Sequence, residues 1–183
     1  MHKHGDRGDA RSMIVLETER MVLRRLEPSD IDELAKLYAD EDVRRYFPEG
    51  TLTREETWEE LEWFLDGHPE RPELGLWAVI HKPDGKFIGR CGLLPWTIED
   101  QPEVEVAYMI GRRYWRRGFA SECARALVRH GFETLGLDRL ISLIDPLNEA
   151  SKRTAMSAGL RFEREILLDD MRFEVFAIER SAL

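Results

Sequence analysis

From position 111 the chain reads Gly111-Arg112-Arg113-Tyr114-Trp115-Arg116-Arg117-Gly118, and apolar residues recur at helical spacing from about Phe119 to Leu135. A helix start offers backbone N–H groups with no intrahelical acceptor and the positive end of the helix dipole. An oxyanion docked there gains several hydrogen bonds at once. Gly118 lets the backbone approach such an anion with no side chain in the way, Ala120 does nearly the same, and Arg112, Arg113, Arg116 and Arg117 bring charge. Phosphate binding is the chemistry this suits; pairing with carboxylates on a solvated face is the other use of such a cluster. A lysine-bearing nucleoside-triphosphate loop and a three-glycine dinucleotide fingerprint are both absent. His81 and His130 have no partner at metal or triad spacing. Cys123 falls where a helix needs a small apolar residue, and Cys91 lies in a strand and is reactive only if exposed.

The elements that must position this loop are legible around it. Alternating apolar residues make Ile14 to Leu26 a strand, ended by Glu27-Pro28-Ser29-Asp30. A helix follows from Ile31 to Tyr38, and Thr53 with Glu56 forms the capping box of a second, which carries Trp58, Leu61, Phe64 and Leu65. Leu76 to His81 and Lys86 to Leu94 form a hairpin about Pro83-Asp84-Gly85; a polar loop then leads to a strand from Glu103 to Ile110. After the basic loop and its helix come a short strand, Arg139 to Ile144, and a helix, Asn148 to Ser157, stopped by Gly159. A last hairpin, Glu163 to Leu168 with Met171 to Ile178, turns at Asp169-Asp170. The order predicts a mixed sheet flanked by helices in an α+β, or α/β-like three-layer, fold.

The 183 residues suit a single domain over 13–183 behind a flexible polar tail at 1–12, MHKHGDRGDARS. That tail has no apolar stretch and does not read as a secretory signal; His2 and His4 alone do not complete a metal site, and no metal is expected. With 27 bases against 36 acids the net charge is -9, which disfavours broad nucleic-acid binding. No apolar run approaches the eighteen or so residues of a membrane span, so no membrane partner is expected. Two unpaired cysteines fit a reducing, cytoplasmic setting.

Four segments, in order, resemble one family. They are Leu16-Glu17-Thr18-Glu19-Arg20-Met21-Val22-Leu23-Arg24, Val104-Glu105-Val106-Ala107-Tyr108, Tyr114-Trp115-Arg116-Arg117-Gly118-Phe119-Ala120-Ser121-Glu122, and Asn148-Glu149-Ala150-Ser151 followed by Ala158-Gly159-Leu160. Together they resemble the GCN5-related N-acetyltransferase (GNAT) superfamily, in particular the branch that acetylates ribosomal-protein N-termini. The likeness runs from Leu16 to about Arg180 and implies a mixed, mostly antiparallel central sheet of about seven strands. It further implies acetyl-CoA as acetyl donor, its pyrophosphate on the N–H groups of Arg116, Arg117, Gly118, Phe119, Ala120 and Ser121. Tyr108, Met109 and Ile110 would hold the pantetheine arm, which pairs with the strand edge, and an N–H near Ile110 would stabilise the oxyanion. Asn148 would bond the arm, and Ser151 would either donate a proton to the leaving thiolate or only bind the cofactor.

Amine attack on a thioester needs a free amine and therefore a base. Strand alternation puts Glu103, Glu105, Ala107 and Met109 on one face, so Glu105 is either that base or an exposed strand carboxylate. Two departures stand out. Arg116 follows the loop tryptophan where relatives often have glycine, and either strengthens phosphate binding or crowds the backbone. Ala155 stands where many relatives have a tyrosine acid. Trp58, Trp63, Trp77, Trp96 and Tyr46 fall in segments that wall the acceptor site in relatives, although each also suits the core. The implied activity is acetyl transfer by direct attack to a primary amine, a protein or peptide N-terminal α-amine or a small molecule such as a polyamine, amino acid or antibiotic. The alternative is a non-catalytic CoA-binding or sensory module. Monomer and homodimer are both open.

Overall fold

The computed structural model describes residues 13–182; the tail expected at 1–12 lies outside them. Eight strands are present: β1 (Ile14–Glu17), β2 (Met21–Arg25), β3 (Gly75–His81), β4 (Lys86–Ile98), β5 (Gln101–Ile110), β6 (Arg139–Ile144), β7 (Arg161–Leu168) and β8 (Met171–Glu179). They form one sheet in the order β1-β2-β3-β4-β5-β6-β8-β7. Every neighbouring pair is antiparallel except β5 and β6, which run parallel and need a crossover on one face. The helices are α1 (Ile31–Tyr38), α2 (Glu41–Arg44), α3 (Arg54–Phe64), α4 (Phe119–Arg129), which makes that crossover, and α5 (Glu149–Ser157).

Both faces of the sheet are covered, and β5 shows how. Its even residues Val104, Val106 and Ile110 pack with Phe119, Leu127 and Val128 of α4; its odd residues Ala107 and Met109 pack with Leu34, Leu37 and Leu61 of α1 and α3. Glu105 shares the parity of the second set. The Thr53 hydroxyl accepts from the Glu56 N–H at 3.2 Å while the Glu56 carboxylate accepts from the Thr53 N–H at 2.7 Å, the expected reciprocal cap of α3.

The strand count exceeds the expected seven because Ile14 to Leu26 is two strands. Thr18-Glu19-Arg20 folds back, with the Thr18 N–H on Met21 O at 2.9 Å. That corner is clasped by Glu122 of α4, which accepts from the Thr18 hydroxyl (2.6 Å), the Arg20 N–H (3.0 Å) and Arg20 Nε (2.7 Å). Burial raises the Glu122 carboxyl, but these donors outweigh it and hold the group below its usual range. The polar loop expected after Leu94 is instead a long hairpin, turned at Glu99 and Asp100 with φ of 50° and 63°. The helix expected to reach Leu135 is α4, which gives way after Arg129 to a π-helical turn over His130–Thr134. Unforeseen α2 is capped by Asp40, whose carboxylate accepts from the N–H groups of Asp42 and Val43.

Candidate active site

The parallel pair β5 and β6 is joined at one end only. Arg139, first residue of β6, donates to Glu103 at 3.0 and 3.1 Å, to Glu163 at 2.8 and 3.0 Å and to Glu179 at 2.8 Å, tying four strands at one point. These carboxylates, Glu163 first, hold its guanidinium well above its usual pKa. Glu105 then lies opposite Ile141. The next carbonyl, Val106 O, accepts from the Ser142 hydroxyl at 3.0 Å, a side chain standing in for the ladder where the strands part. Gly111 N–H donates to Ile88 O of β4 at 2.8 Å, so by alternation the N–H groups of Tyr108 and Ile110 face the gap.

Tyr108 reaches across it. Its hydroxyl donates to Ser151 O at 2.9 Å and lies 3.1 Å from Ser151 Oγ; burial pushes the phenol up to about 12, so it keeps its proton at neutral pH. Asn148 caps α5, its Oδ1 accepting from the Ser151 N–H at 3.1 Å, which fixes Ser151 at the cleft wall. Ala155 is fully buried.

At the mouth, Arg116 and Gly118 have φ of 60° and 78°, left-handed conformations that turn successive amides into a concave nest. Gly118 is the N-cap of α4, and the first N–H to bond back to it is that of Glu122, at 3.0 Å. The amides of Phe119, Ala120 and Ser121 ahead of it project from the helix end. Trp115 Nε1 donates to Ile110 O at 2.7 Å and fastens the loop to the strand. Arg20 Nη1 donates to Arg117 O at 2.9 Å and its guanidinium lies 4.2 Å from the Phe119 ring centre. The Arg116 side chain is exposed, so it takes the glycine-like conformation without filling the nest. Arg112 is spent elsewhere, on Asp42 at 2.7 Å and Asp40 at 3.4 Å, docking α2 to the loop.

On the α1/α3 face the Glu105 carboxylate is half-buried and accepts from Trp96 Nε1 at 2.6 Å. Burial raises its pKa to about 7, against the Trp96 hydrogen bond, the charge of Arg90 and the Leu143 N–H. Of the four tryptophans expected along the acceptor wall, Trp96 is the one that bonds Glu105. Trp77 is core against His130, and Trp58 and Trp63 are exposed on α3. Met109 is buried beneath α1 with its backbone turned to β4, so of the three expected arm-holding residues it does not face the cleft, and the thiols Cys91 and Cys123 are both fully buried. A surface groove lined by Ala35, Ala39, Leu52 and Arg54 shares none of these groups.

Sequence reasoning missed Trp96 as Glu105's partner, and it missed Arg90 and Tyr38 beside them. The available signal was Arg90 itself, a charge in the middle of a strand otherwise built from Ile88, Cys91, Leu93 and small residues.

The Trp96 bond makes a testable statement. It favours the ionised carboxylate, so Trp96→Phe is expected to raise the Glu105 pKa above about 7 and move the acid limb of the rate profile to higher pH. By the usual worth of a hydrogen bond to a charged group the move is about 1 pH unit, read from kcat/KM against pH; an unmoved limb would refute it.

Residues 20–161 match the profile of the acetyltransferase (GNAT) domain. The chain belongs to the GNAT acetyltransferase family. It is 36% identical over 156 residues to the uncharacterized protein YkkB of Bacillus subtilis, covering 82% of this chain and 87% of that one. An uncharacterized N-acetyltransferase, p20 of Bacillus licheniformis, is 30% identical over 158 residues, covering 86% and 87%. The solved structure of a GNAT-family acetyltransferase from Bacillus anthracis shares the fold with a TM-score of 0.79 at 24% identity, covering 91% of this chain and 98% of that chain. This GNAT chain is thus an acyltransferase dependent on acetyl-CoA. Among its described residues no helix is long and apolar enough to cross a membrane.

Proposed function

We propose that this GNAT chain acetylates a primary amine by direct attack, with Glu105 as general base and the α-amine of a protein or peptide as acceptor. Its residues fit the donor. A diphosphate needs converging N–H groups, which the nest from Arg116 to Ser121 presents, and an amide-bearing arm needs an open strand edge, which Tyr108 to Ile110 provide. Acetyl-CoA supplies, when bound, an acetyl group activated as a thioester.

The observation that carries the reading is Glu105. Its carboxylate sits on the acceptor face at the last paired position before β5 and β6 part, with a pKa of about 7. A base so tuned is largely ionised at slightly alkaline pH and still strong enough to take a proton from the acceptor ammonium. Across the strand, Ser151 backed by Tyr108 forms a hydroxyl pair suited to delivering a proton to the departing thiolate. The buried Ala155 leaves that task to this pair. Asn148 keeps Ser151 in place through its cap, and its amide nitrogen is left for the pantetheine arm.

The test is release of free CoA from acetyl-CoA with and without amines, offering peptides with a free or blocked N-terminus alongside polyamines, amino acids and aminoglycosides. Faster release with free-amine peptides than with any other amine is expected. Small amines outrunning every peptide would overturn the acceptor class, and binding of acetyl-CoA without stimulated release would leave a CoA-binding module.

A further inference from the structure

Arg90 stands midway along β4 with 5% of its surface exposed, facing the α1/α3 layer between Ala78 and Met109. A buried guanidinium ordinarily lies against a carboxylate, because taking its charge out of water is costly unless an opposite charge compensates it. Among the described residues Arg90 has no such partner within the 4.0 Å of an ion pair. Its one hydrogen bond runs from Nε to the Tyr38 hydroxyl at 2.9 Å, and that hydroxyl in turn donates to Glu60. The two terminal nitrogens donate to nothing among the described residues, and neither is sealed from solvent, since the one sealed orphan is Arg25 Nε.

A second cation crowds the same place. Arg44, 3% exposed, lies 4.5 Å from the Phe47 ring centre and 5.1 Å from that of Tyr38, and Arg90 lies 5.7 and 5.6 Å from the same two rings. Arg44 spends Nε on Gly50 O at 2.7 Å and reaches only Glu49, at 3.4 Å and itself 63% exposed. Glu60, held on the Tyr38 hydroxyl, and Glu49 act on these two guanidiniums, but neither carboxylate reaches the terminal nitrogens of Arg90.

Arg90 shares its face of the sheet with Glu105. Arg90 is opposite Met109 and Leu94 is opposite Glu105, which puts the two charged positions about 13 Å apart along the sheet. Between them lie Gly92 and Ala107, both buried and neither with a side chain beyond Cβ. The Arg90 side chain is long enough for its charge to act on the Glu105 carboxyl, which shortens the span left to substrate.

Resting on the assignment of Glu105 above, we infer that Arg90, backed by Arg44, receives a carboxylate of the acceptor, so that the acceptor is an amine that also bears a carboxylate. The terminal guanidinium nitrogens form a planar fork matched to two carboxylate oxygens, and docking there would aim the amine end toward Glu105. Two sources carry this chemistry, a free amino acid and a peptide with an acidic side chain next to its free N-terminus.

The experiment compares acceptors that differ only in the carboxylate: a free amino acid against its amide, and a peptide with Glu at its second position against the same peptide with Gln. Each pair is measured as kcat/KM at equal free-amine concentration and as affinity, by calorimetric titration into the enzyme saturated with CoA, where no turnover occurs. Wild type is expected to favour the carboxylate member of one pair by about 10- to 100-fold, the worth of a forked charge-assisted contact. In Arg90→Gln the ratio collapses toward one, and in Arg90→Lys it falls partway, because charge remains but the fork is lost. The pair that shows the preference names the source. Absence of preference in wild type, in both rate and affinity, overturns the inference whether or not the variants fold, and so does a preference that survives in Arg90→Gln. Failure of every amine to be acetylated, with acetyl-CoA bound, would instead overturn Glu105 as base, and the titrations would still decide the carboxylate site.

Discussion

Glu105→Gln is expected to lower kcat by about 10²- to 10⁴-fold, the usual worth of a positioned general base, and to leave acetyl-CoA affinity unchanged, because Glu105 lies on the α1/α3 face and not at the nest. Wild-type kcat/KM should climb with pH and level off above about 7, the pKa of this carboxyl. In the variant that limb disappears and the remaining pH dependence is that of the amine alone. A full wild-type limb in Glu105→Gln would remove Glu105 from the mechanism. The same substitution should stabilise the fold at alkaline pH. Burial raises the native pKa above the ordinary value of about 4.3, so the folded state binds this proton more tightly than the unfolded one. The destabilisation is absent below about pH 4, grows through the interval up to about 7, and is complete above it. With a discount for the half-open position, the glutamine variant should gain about 2 kcal/mol at pH 8 and much less at pH 5, read from urea unfolding.

Gly118→Trp should abolish donor binding. At φ 78° a residue with a Cβ costs about 1–2 kcal/mol in backbone strain, and the indole would project where an anion must approach the amides of the nest. A Cβ at this position also meets Arg20 Nη2 at 3.4 Å, disturbing the guanidinium that holds Arg117 O. Calorimetric titration should give an acetyl-CoA affinity on the order of micromolar for wild type and a loss of at least about 100-fold in the variant, since several charge-assisted bonds go together. Gly118→Ala, carrying the strain without the bulk, should fall between them. Equal affinities in wild type and Gly118→Trp would show that the loop holds no pyrophosphate.

Elements with local causes were legible. The spacing of Ile31 to Tyr38, the Thr53–Glu56 box, the turn at Gly85 and the loop-to-helix step at Gly118 each depend on residues a few positions apart, and all are found where expected. Elements held from a distance were not. Thr18-Glu19-Arg20 contains neither glycine nor proline, and its reversal is clasped by Glu122, 104 residues from Thr18. Glu99 and Asp100 take left-handed conformations, which Asp tolerates but Glu does not signal, and no glycine marks the turn. At four residues α2 is too short for periodicity to show. At the site, the parity of β5 puts Glu105 on the same face as Ala107 and Met109, as the structure has it. Its contact with Trp96 could not be read, because both belong to a hairpin whose turn was taken for a loop, and the contact follows from that hairpin's register. The arginine loop leaves phosphate binding and carboxylate pairing both open from sequence, and Arg112 takes the second, on Asp40 and Asp42, acids too distant in the chain to be matched to it beforehand.

The parting of β5 from β6 places solvent-facing amides in the middle of an eight-stranded sheet. Amides so central are ordinarily the slowest in a protein to exchange hydrogen for deuterium, since only global unfolding frees them. Those of Tyr108 and Ile110 point into the gap and need no unfolding, while Met109 between them points to β4. Along this strand, fast and slow exchange should therefore alternate residue by residue in the free enzyme. Protection of the fast pair when acetyl-CoA is added would report occupancy of the cleft without any knowledge of the acceptor.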